Sequence, residues 1–227
     1  MDLGLDGRVV LVSGGSRGIG LGIAGALRAE GARVSIAARG AADLAAAADA
    51  QGLHPIAADM TREADIERAL AETEHALGPL YGVVANLGSG RSMPGIDVPR
   101  AEWERVLELN LLAAMSLSSA SLRRLVARGE GSLTLVSSIA GLEAIGAPAP
   151  YAAAKAALLS AVKSFAREAG RHGIRVNAVA PGNVTFPGGT WARKAEEDPA
   201  GVADMLAREE PLRRLGHARH GDGGARR

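Results

Sequence analysis

Tyr151 and Lys155 stand four residues apart in the run Tyr151-Ala-Ala-Ala-Lys155-Ala-Ala-Leu-Leu, a stretch rich in helix formers. On a helix that spacing stacks both side chains on one face. A tyrosine hydroxyl ionises near pH 10, so acid–base work near neutrality requires a shift worth roughly 4 kcal/mol. An exposed ion pair contributes only about 0.2–1 kcal/mol. Lys155 can therefore serve this purpose only in a secluded site, with a second positive charge nearby. Ser137 and Ser138, directly after the apolar run 133–136, offer hydroxyls to a substrate oxygen beside the tyrosine. The alternative is that Tyr151 and Lys155 are neighbours on a solvated helix, and the rest of the chain decides between the two.

Elements able to position such a pair are spread along the whole sequence. Short apolar runs alternate with longer Ala/Leu-rich charged stretches, the pattern of successive βαβ units on a parallel sheet. Strands are predicted at 9–12, 34–38, 53–58, 80–85, 132–136 and 174–179. Helices are predicted from Gly20 to about Glu30, at 41–50, 62–77 and 101–128, and from Tyr151 to about His172. The 227 residues suit a single domain, 1–216, followed by a short basic tail, 217–227.

Between the first strand and the first helix lies Ser13-Gly14-Gly-Ser16-Arg17-Gly18-Ile19-Gly20. Glycines at 14, 18 and 20 permit a tight turn and let a pyrophosphate approach the free N–H groups of a helix N-terminus. The spacing is G-x-x-x-G-x-G rather than the commoner G-x-G-x-x-G, and a purely structural turn is the competing reading. A dinucleotide there explains the second charge, since an oxidised nicotinamide ring is positive. At the end of the second strand an NAD site usually carries an acid for the ribose 2′-hydroxyl. This chain has Ala37-Ala38-Arg39, with no acid before Asp43. Arg39, with Arg17, suits the 2′-phosphate of NADPH; the competing reading leaves both arginines solvated.

Gly14-x-x-x-Gly18-Ile19-Gly20, Ala85-Asn86-Leu87-Gly88, Asn110, Ser138, Tyr151-x-x-x-Lys155 and Pro181-Gly182 occur in this order. Together they resemble the short-chain dehydrogenase/reductase family, and most of all its 3-oxoacyl-carrier-protein-reductase-like members, from about Leu5 to Gly216. The resemblance implies a Rossmann-type, doubly wound parallel sheet with helices on both faces. It implies hydride transfer between NADP(H) and a carbonyl or secondary alcohol, with a 3-oxoacyl thioester one candidate. It further implies that Tyr151 is the general acid or base, that Ser138 holds the substrate oxygen, and that Lys155 binds the nicotinamide ribose and lowers the Tyr151 pKa. Asn110 would hold a water in a proton relay, although a buried structural hydrogen bond also accounts for an Asn in so apolar a helix. Asp59 and Met60 would meet the adenine, Asp59 being equally suited to capping a helix. Ser16, Asn86, Gly88, Pro181, Gly182 and Val184 would complete the cofactor site.

Two positions depart from the family pattern. Leu87 replaces a small residue near the cofactor, and the threonine expected after Pro181-Gly182 is displaced, Thr185 being followed by Phe186-Pro187-Gly188-Gly189. The first departure puts a bulkier side chain near the cofactor, and the second leaves nicotinamide anchoring by Thr185 open. Residues 186–210 would form a mobile lid over the substrate, with Trp191 either a substrate contact or a packing residue. Arg91 suits an anionic substrate or open solvent.

Composition narrows the function classes. Twenty-six basic and 25 acidic residues give a net charge of +1, no reason to expect a nucleic-acid partner. With no cysteine, disulfides and thiolate chemistry are excluded. No apolar run approaches the ~20 residues of a membrane span, and the N-terminus enters a strand at once, so a cytoplasmic location is expected. His217-x-x-His220 has a metal-like spacing but no third ligand. After Gly216 the sequence has no apolar run for a further strand. The expectation is a six-stranded sheet with 174–179 as an open edge and a poorly ordered tail, a homodimer through the long helices, and doubt over the tetramer of the family. A dinucleotide-binding sensor or scaffold without turnover is the rival function.

Overall fold

The computed structural model describes residues 2–210 and 212–218. Six parallel strands form one sheet, β1 (Val9–Ser13), β2 (Arg33–Ala38), β3 (His54–Ala57), β4 (Leu80–Ala85), β5 (Gly131–Val136) and β6 (Ile174–Val179). Their spatial order is β3-β2-β1-β4-β5-β6. Helices α1 (Gly18–Ala29), α2 (Ala41–Gln51), α3 (Glu63–Leu77), α4 (Arg100–Leu107), α5 (Ala113–Arg128) and α6 (Ala149–Gly170) run between them. This is the parallel sheet that the alternating pattern predicts, in the Rossmann-type doubly wound form that the resemblance implies.

β1 reads as an apolar run because both faces of the sheet are covered there, whereas β6 alternates buried Ile174 and Val176 with exposed Arg175 and Asn177. Side chains alternate between the faces along each strand. In β1, Val9 and Leu11 enter a core with Ile66 and Leu70 of α3, Leu117 and Leu125 of α5, and Leu158 of α6. Val10 and Val12 enter the opposite core, with Ala24 of α1 and Leu44 of α2. With few aromatics, the packing is carried by Leu, Ile, Val and Ala.

β1 pairs with both β2 and β4, so the strand order reverses there and a crevice opens at the carboxyl ends of these strands. The expected long helix at 101–128 is observed, but α4 and α5 are joined by a π-helical turn, Glu108–Leu112. Gly129, with φ 78°, then ends α5 in the left-handed conformation that favours glycine.

The expected lid, 186–210, carries two helices, α7 (Thr190–Glu197) and α8 (Pro199–Glu209). Asp198 caps α8 by accepting a hydrogen bond from the Gly201 N–H at 2.9 Å. Beyond them the sheet gains no seventh strand among the described residues. A two-residue strand β8 (Gly216–His217) instead pairs with β7 (Val184–Thr185), away from β6. Residues 219–227 of the predicted tail, including His220, lie outside the described residues. No described helix is long and apolar enough to cross a membrane. Among the described residues no three His, Asp or Glu side chains group as a metal site would require.

Candidate active site

Gly14, Arg39, Asp59, Asn86 and Ser138 lie in loops after strands, and Tyr151 and Lys155 lie on α6. The glycine loop is tied to the end of β4 by a short network. The Ser13 hydroxyl donates to the Val84 carbonyl at 3.2 Å and accepts from the Asn86 N–H at 3.1 Å. The Asn86 amide donates in turn to the Gly14 carbonyl at 3.2 Å. Gly14 holds a φ of 63°, and a Cβ there would strike the Asn86 carbonyl. A Cβ at Gly20 would strike the Gly14 carbonyl. Both glycines are therefore required by close backbone approach.

α1 begins at Gly18 with Arg17 as its N-cap; no side chain caps its end and its first turn has no acid. The N–H groups of that turn have no carbonyl one turn earlier to bond. Together with Ser16, Ile19 and the glycine cradle they fit the pyrophosphate of a dinucleotide. Arg17 and Arg39 are both exposed beside this cradle, Arg39 directly after β2. Asp59 and the buried Met60 follow β3. The Asp59 carboxylate accepts from the Thr61 N–H at 3.1 Å and from its hydroxyl at 2.8 Å. These hydrogen bonds, with Arg39 nearby, hold its carboxyl below the usual range. Its structural use is thus a local turn ahead of α3, with one carboxylate oxygen left for another partner.

The second half of the site is built around Lys155. α6 places Tyr151 and Lys155 on one face, and the Ser137 hydroxyl bonds the Lys155 carbonyl at 2.8 Å, fastening the helix to the end of β5. Lys155 is 4% exposed. Its Nζ donates to the carbonyls of Leu87 at 3.1 Å and Val136 at 3.0 Å. An ammonium has three donors, so one remains for a ligand. Burial lowers its pKa to about 8.

Asn110 sits fully buried in the π-helical turn, a distortion often found at functional sites. Its Oδ1 accepts from the Ser89 N–H and its Nδ2 donates to the Val106 carbonyl, both at 3.0 Å. The structural hydrogen bond left open by the sequence is therefore present. Gly88, φ 129°, lies between Asn110 and the Lys155 ammonium, where a Cβ would strike Asn110 Oδ1. Ser138 Oγ accepts from the Ala140 N–H at 3.2 Å, and the Ser138 side chain neighbours Tyr151. Burial raises the Tyr151 pKa, and the neighbouring Ser138 side chain opposes that rise in part. The Lys155 ammonium lies 5.9 Å from the Tyr151 ring centroid. In this state Lys155 does not bring the hydroxyl down. Pro181 closes the floor through its carbonyl, which accepts from the Ile139 N–H at 3.1 Å, and Gly182 and Val184 follow it.

The site of a tyrosine, serine and buried lysine beside an uncapped helix N-terminus over a glycine loop is matched in known proteins. The sequence profile of the short chain dehydrogenase family matches residues 8–197. The chain belongs to the short-chain dehydrogenase family. It is an oxidoreductase of the class acting on carbonyl and alcohol groups, and the family uses nicotinamide dinucleotides. It is 34% identical over 216 residues to an acetoacetyl-CoA reductase of Synechocystis sp., covering 95% of this chain and 85% of that one. It is 35% identical over 184 residues to the 3-oxoacyl-(acyl-carrier-protein) reductase FabG of Escherichia coli, covering 80% and 75%. The crystal structure of levodione reductase superimposes with a TM-score of 0.87 at 30% identity, covering 94% of this chain and 87% of that one.

The structure adds contacts that sequence reasoning missed. Ser13 couples the glycine loop to Asn86, and the Leu87 carbonyl anchors Lys155. The latter is a backbone task, indifferent to the departure from a small residue at that position. Trp191 has Lys194 Nζ 4.7 Å above its ring, which favours its packing role. Arg91 is exposed, and its backbone carbonyl accepts from Arg105.

Proposed function

We propose that this dehydrogenase uses NADP(H) to interconvert a carbonyl and a secondary alcohol, with 3-oxoacyl thioesters the substrate class to test first. The observation that carries the proposal is the buried Lys155, one turn from Tyr151 on α6 and held by the Leu87 and Val136 carbonyls with a donor to spare, beside Ser138. The substrate class rests on the acetoacetyl-CoA and 3-oxoacyl reductases among the relatives.

In the reductive direction Tyr151 donates its hydroxyl proton to the substrate oxygen, which Ser138 holds by a hydrogen bond. A nicotinamide dinucleotide held in the cradle would supply the hydride. The third donor of Lys155 holds the ribose hydroxyls, while Leu87 and Val136 fix its position. Asn110 sets the turn behind Lys155, from which a water relay re-protonates Tyr151. Gly14, Ser16, Gly18, Ile19 and Gly20 cradle the pyrophosphate, Asp59 and Met60 the adenine, Asn86 and Gly88 the adenosine side, and Pro181, Gly182 and Val184 the nicotinamide side.

Preference for NADPH rests on Arg17 and Arg39 at the adenosine end and on the absence of an acid at the end of β2. An arginine fork matches a phosphate where an NAD site has a carboxylate. The test is a panel of ketones and 3-oxoacyl thioesters with NADPH and NADH, followed by absorbance. Turnover with NADPH supports the reading; cofactor binding without turnover across the panel replaces it with a dinucleotide sensor.

A further inference from the structure

The Phe186 ring lies on the residue that opens α1. A Cβ built at Gly18 would stand 2.7 Å from two of its ring carbons and 2.9 Å from a third. The ring also meets the lid, where a Cβ at Gly189 would stand 3.0 Å from Cζ and 3.1 Å from Cε1. Gly18 is consequently buried, although it belongs to the helix end whose N–H groups are uncapped. An apolar ring therefore stands against the uncapped first turn of α1, an end suited to an anion.

The local sequence fixes the ring there. The Phe186 carbonyl accepts from the Gly189 N–H at 2.9 Å, with Pro187 and Gly188 between them and Gly188 at φ 70°. Proline followed by a positive-φ glycine is the signature of a type II turn. The preceding residues are held from the other side. Thr185 pairs with His217 in the β7–β8 ladder. The Gly216 N–H donates to the Asn183 carbonyl at 2.8 Å, and the Asn183 amide donates to Glu210 at 2.9 Å. Phe186 is thus the point where a braced segment meets the glycine loop, at the place where the sequence lacks the expected threonine.

We infer that Phe186 is a built-in occupant of the dinucleotide cradle, an aromatic gate that leaves Gly18 before a pyrophosphate can reach the first turn of α1. This rests on the proposed dinucleotide-dependent function. A site that is open only part of the time shows an affinity reduced by the open fraction. Removing the ring therefore strengthens binding. Loss of an apolar contact of this size corresponds to a change of about 10-fold.

The test compares wild type with Phe186→Ala, Phe186→Thr and Phe186→Leu. NADPH association and dissociation are followed by stopped-flow fluorescence, with adenosine 2′-monophosphate, which lacks the pyrophosphate, as the control ligand. Association with NADPH is expected to be about 10-fold faster in the Ala and Thr variants and intermediate in Leu. Affinity for adenosine 2′-monophosphate stays unchanged. In the free wild type, the Gly18 α-protons show an upfield ring-current shift in NMR that disappears in Phe186→Ala and on adding NADPH. Slower or equal NADPH association in the Ala variant, or identical Gly18 shifts in wild type and Phe186→Ala, overturns the gate. If neither NADPH nor NADH binds any variant, the cofactor reading itself fails, and the gate fails with it even where the Gly18 shift confirms the contact.

Discussion

Lys155 stands among backbone carbonyls with no carboxylate in its bonding shell, and that arrangement has a measurable energetic consequence. Burial takes its pKa from the ordinary 10.5 to about 8. At about 1.4 kcal/mol per pH unit, the difference is roughly 3 kcal/mol of cost for keeping the ammonium in the fold at neutral pH. The sign follows from proton counting. Between pH 8 and pH 10.5 the unfolded chain binds the proton and the folded chain has begun to lose it, so stability rises with pH across that window. Lys155→Met keeps the apolar length of the side chain but has no proton to lose, and it leaves the Leu87 and Val136 carbonyls without their donor at every pH. Urea unfolding of both proteins at pH 7 and near pH 10 isolates the titration as the change in their stability difference. The wild type is expected to gain about 2–3 kcal/mol on the variant over that interval. A stability difference that stays constant with pH would refute the argument that burial sets the Lys155 pKa. The shared contribution of Tyr151 cancels to first order in the comparison.

Three further outcomes follow from the same geometry. Tyr151→Phe removes the transferable proton and is expected to lower turnover about 10²–10⁴-fold with cofactor affinity nearly unchanged; retention of a tenth of the activity removes Tyr151 from the role. Gly20→Ala places a methyl against the Gly14 carbonyl and the Asn86 amide, and isothermal titration is expected to show loss of dinucleotide binding in a protein that remains folded by circular dichroism. Arg39→Ala is expected to weaken NADPH binding about 10-fold or more while sparing NADH, and equal losses for both would assign Arg39 no part in the choice.

The sheet was legible because β1 and β4 are buried on both faces and so read as apolar runs. The site was legible where one residue type does a job no other can, as with Tyr151, Lys155 and the close-approach glycines at 14 and 20. Backbone partners were not legible. The carbonyls of Leu87 and Val136 that hold Lys155 carry no signature in residue type. The π-helical turn around Asn110 was hidden inside a helical pattern for a related reason, since one extra residue per turn leaves composition unaltered. The helices α7 and α8 were missed because Pro187, Gly188, Gly189 and Pro199 punctuate the segment and read as loop. The contact between Phe186 and Gly18 joins residues from opposite ends of the chain, and only the displaced threonine pointed towards it. The pairing of His217 with Thr185 was likewise invisible in a stretch with no apolar run.

Burial acts on Tyr151 and Lys155 in the same sense, towards the neutral form, and this bears on the direction of chemistry. Desolvation raises the tyrosine and lowers the lysine. A raised tyrosine keeps its proton at neutral pH, which is the state a proton donor to a carbonyl oxygen must be in. The reverse reaction needs tyrosinate, and burial alone makes that species scarce. An oxidised nicotinamide brings a positive charge into the same secluded space, where charge interactions are stronger than in water, and that charge favours the tyrosinate. The reduced ring is neutral and leaves Tyr151 as the free protein has it. Under the proposed reaction the protein therefore stands ready for reduction, and oxidation depends on the charge that the oxidised cofactor carries in. In the same proposal Lys155, still mostly charged below pH 8, would support both directions by fixing the ribose rather than by setting the Tyr151 pKa on its own.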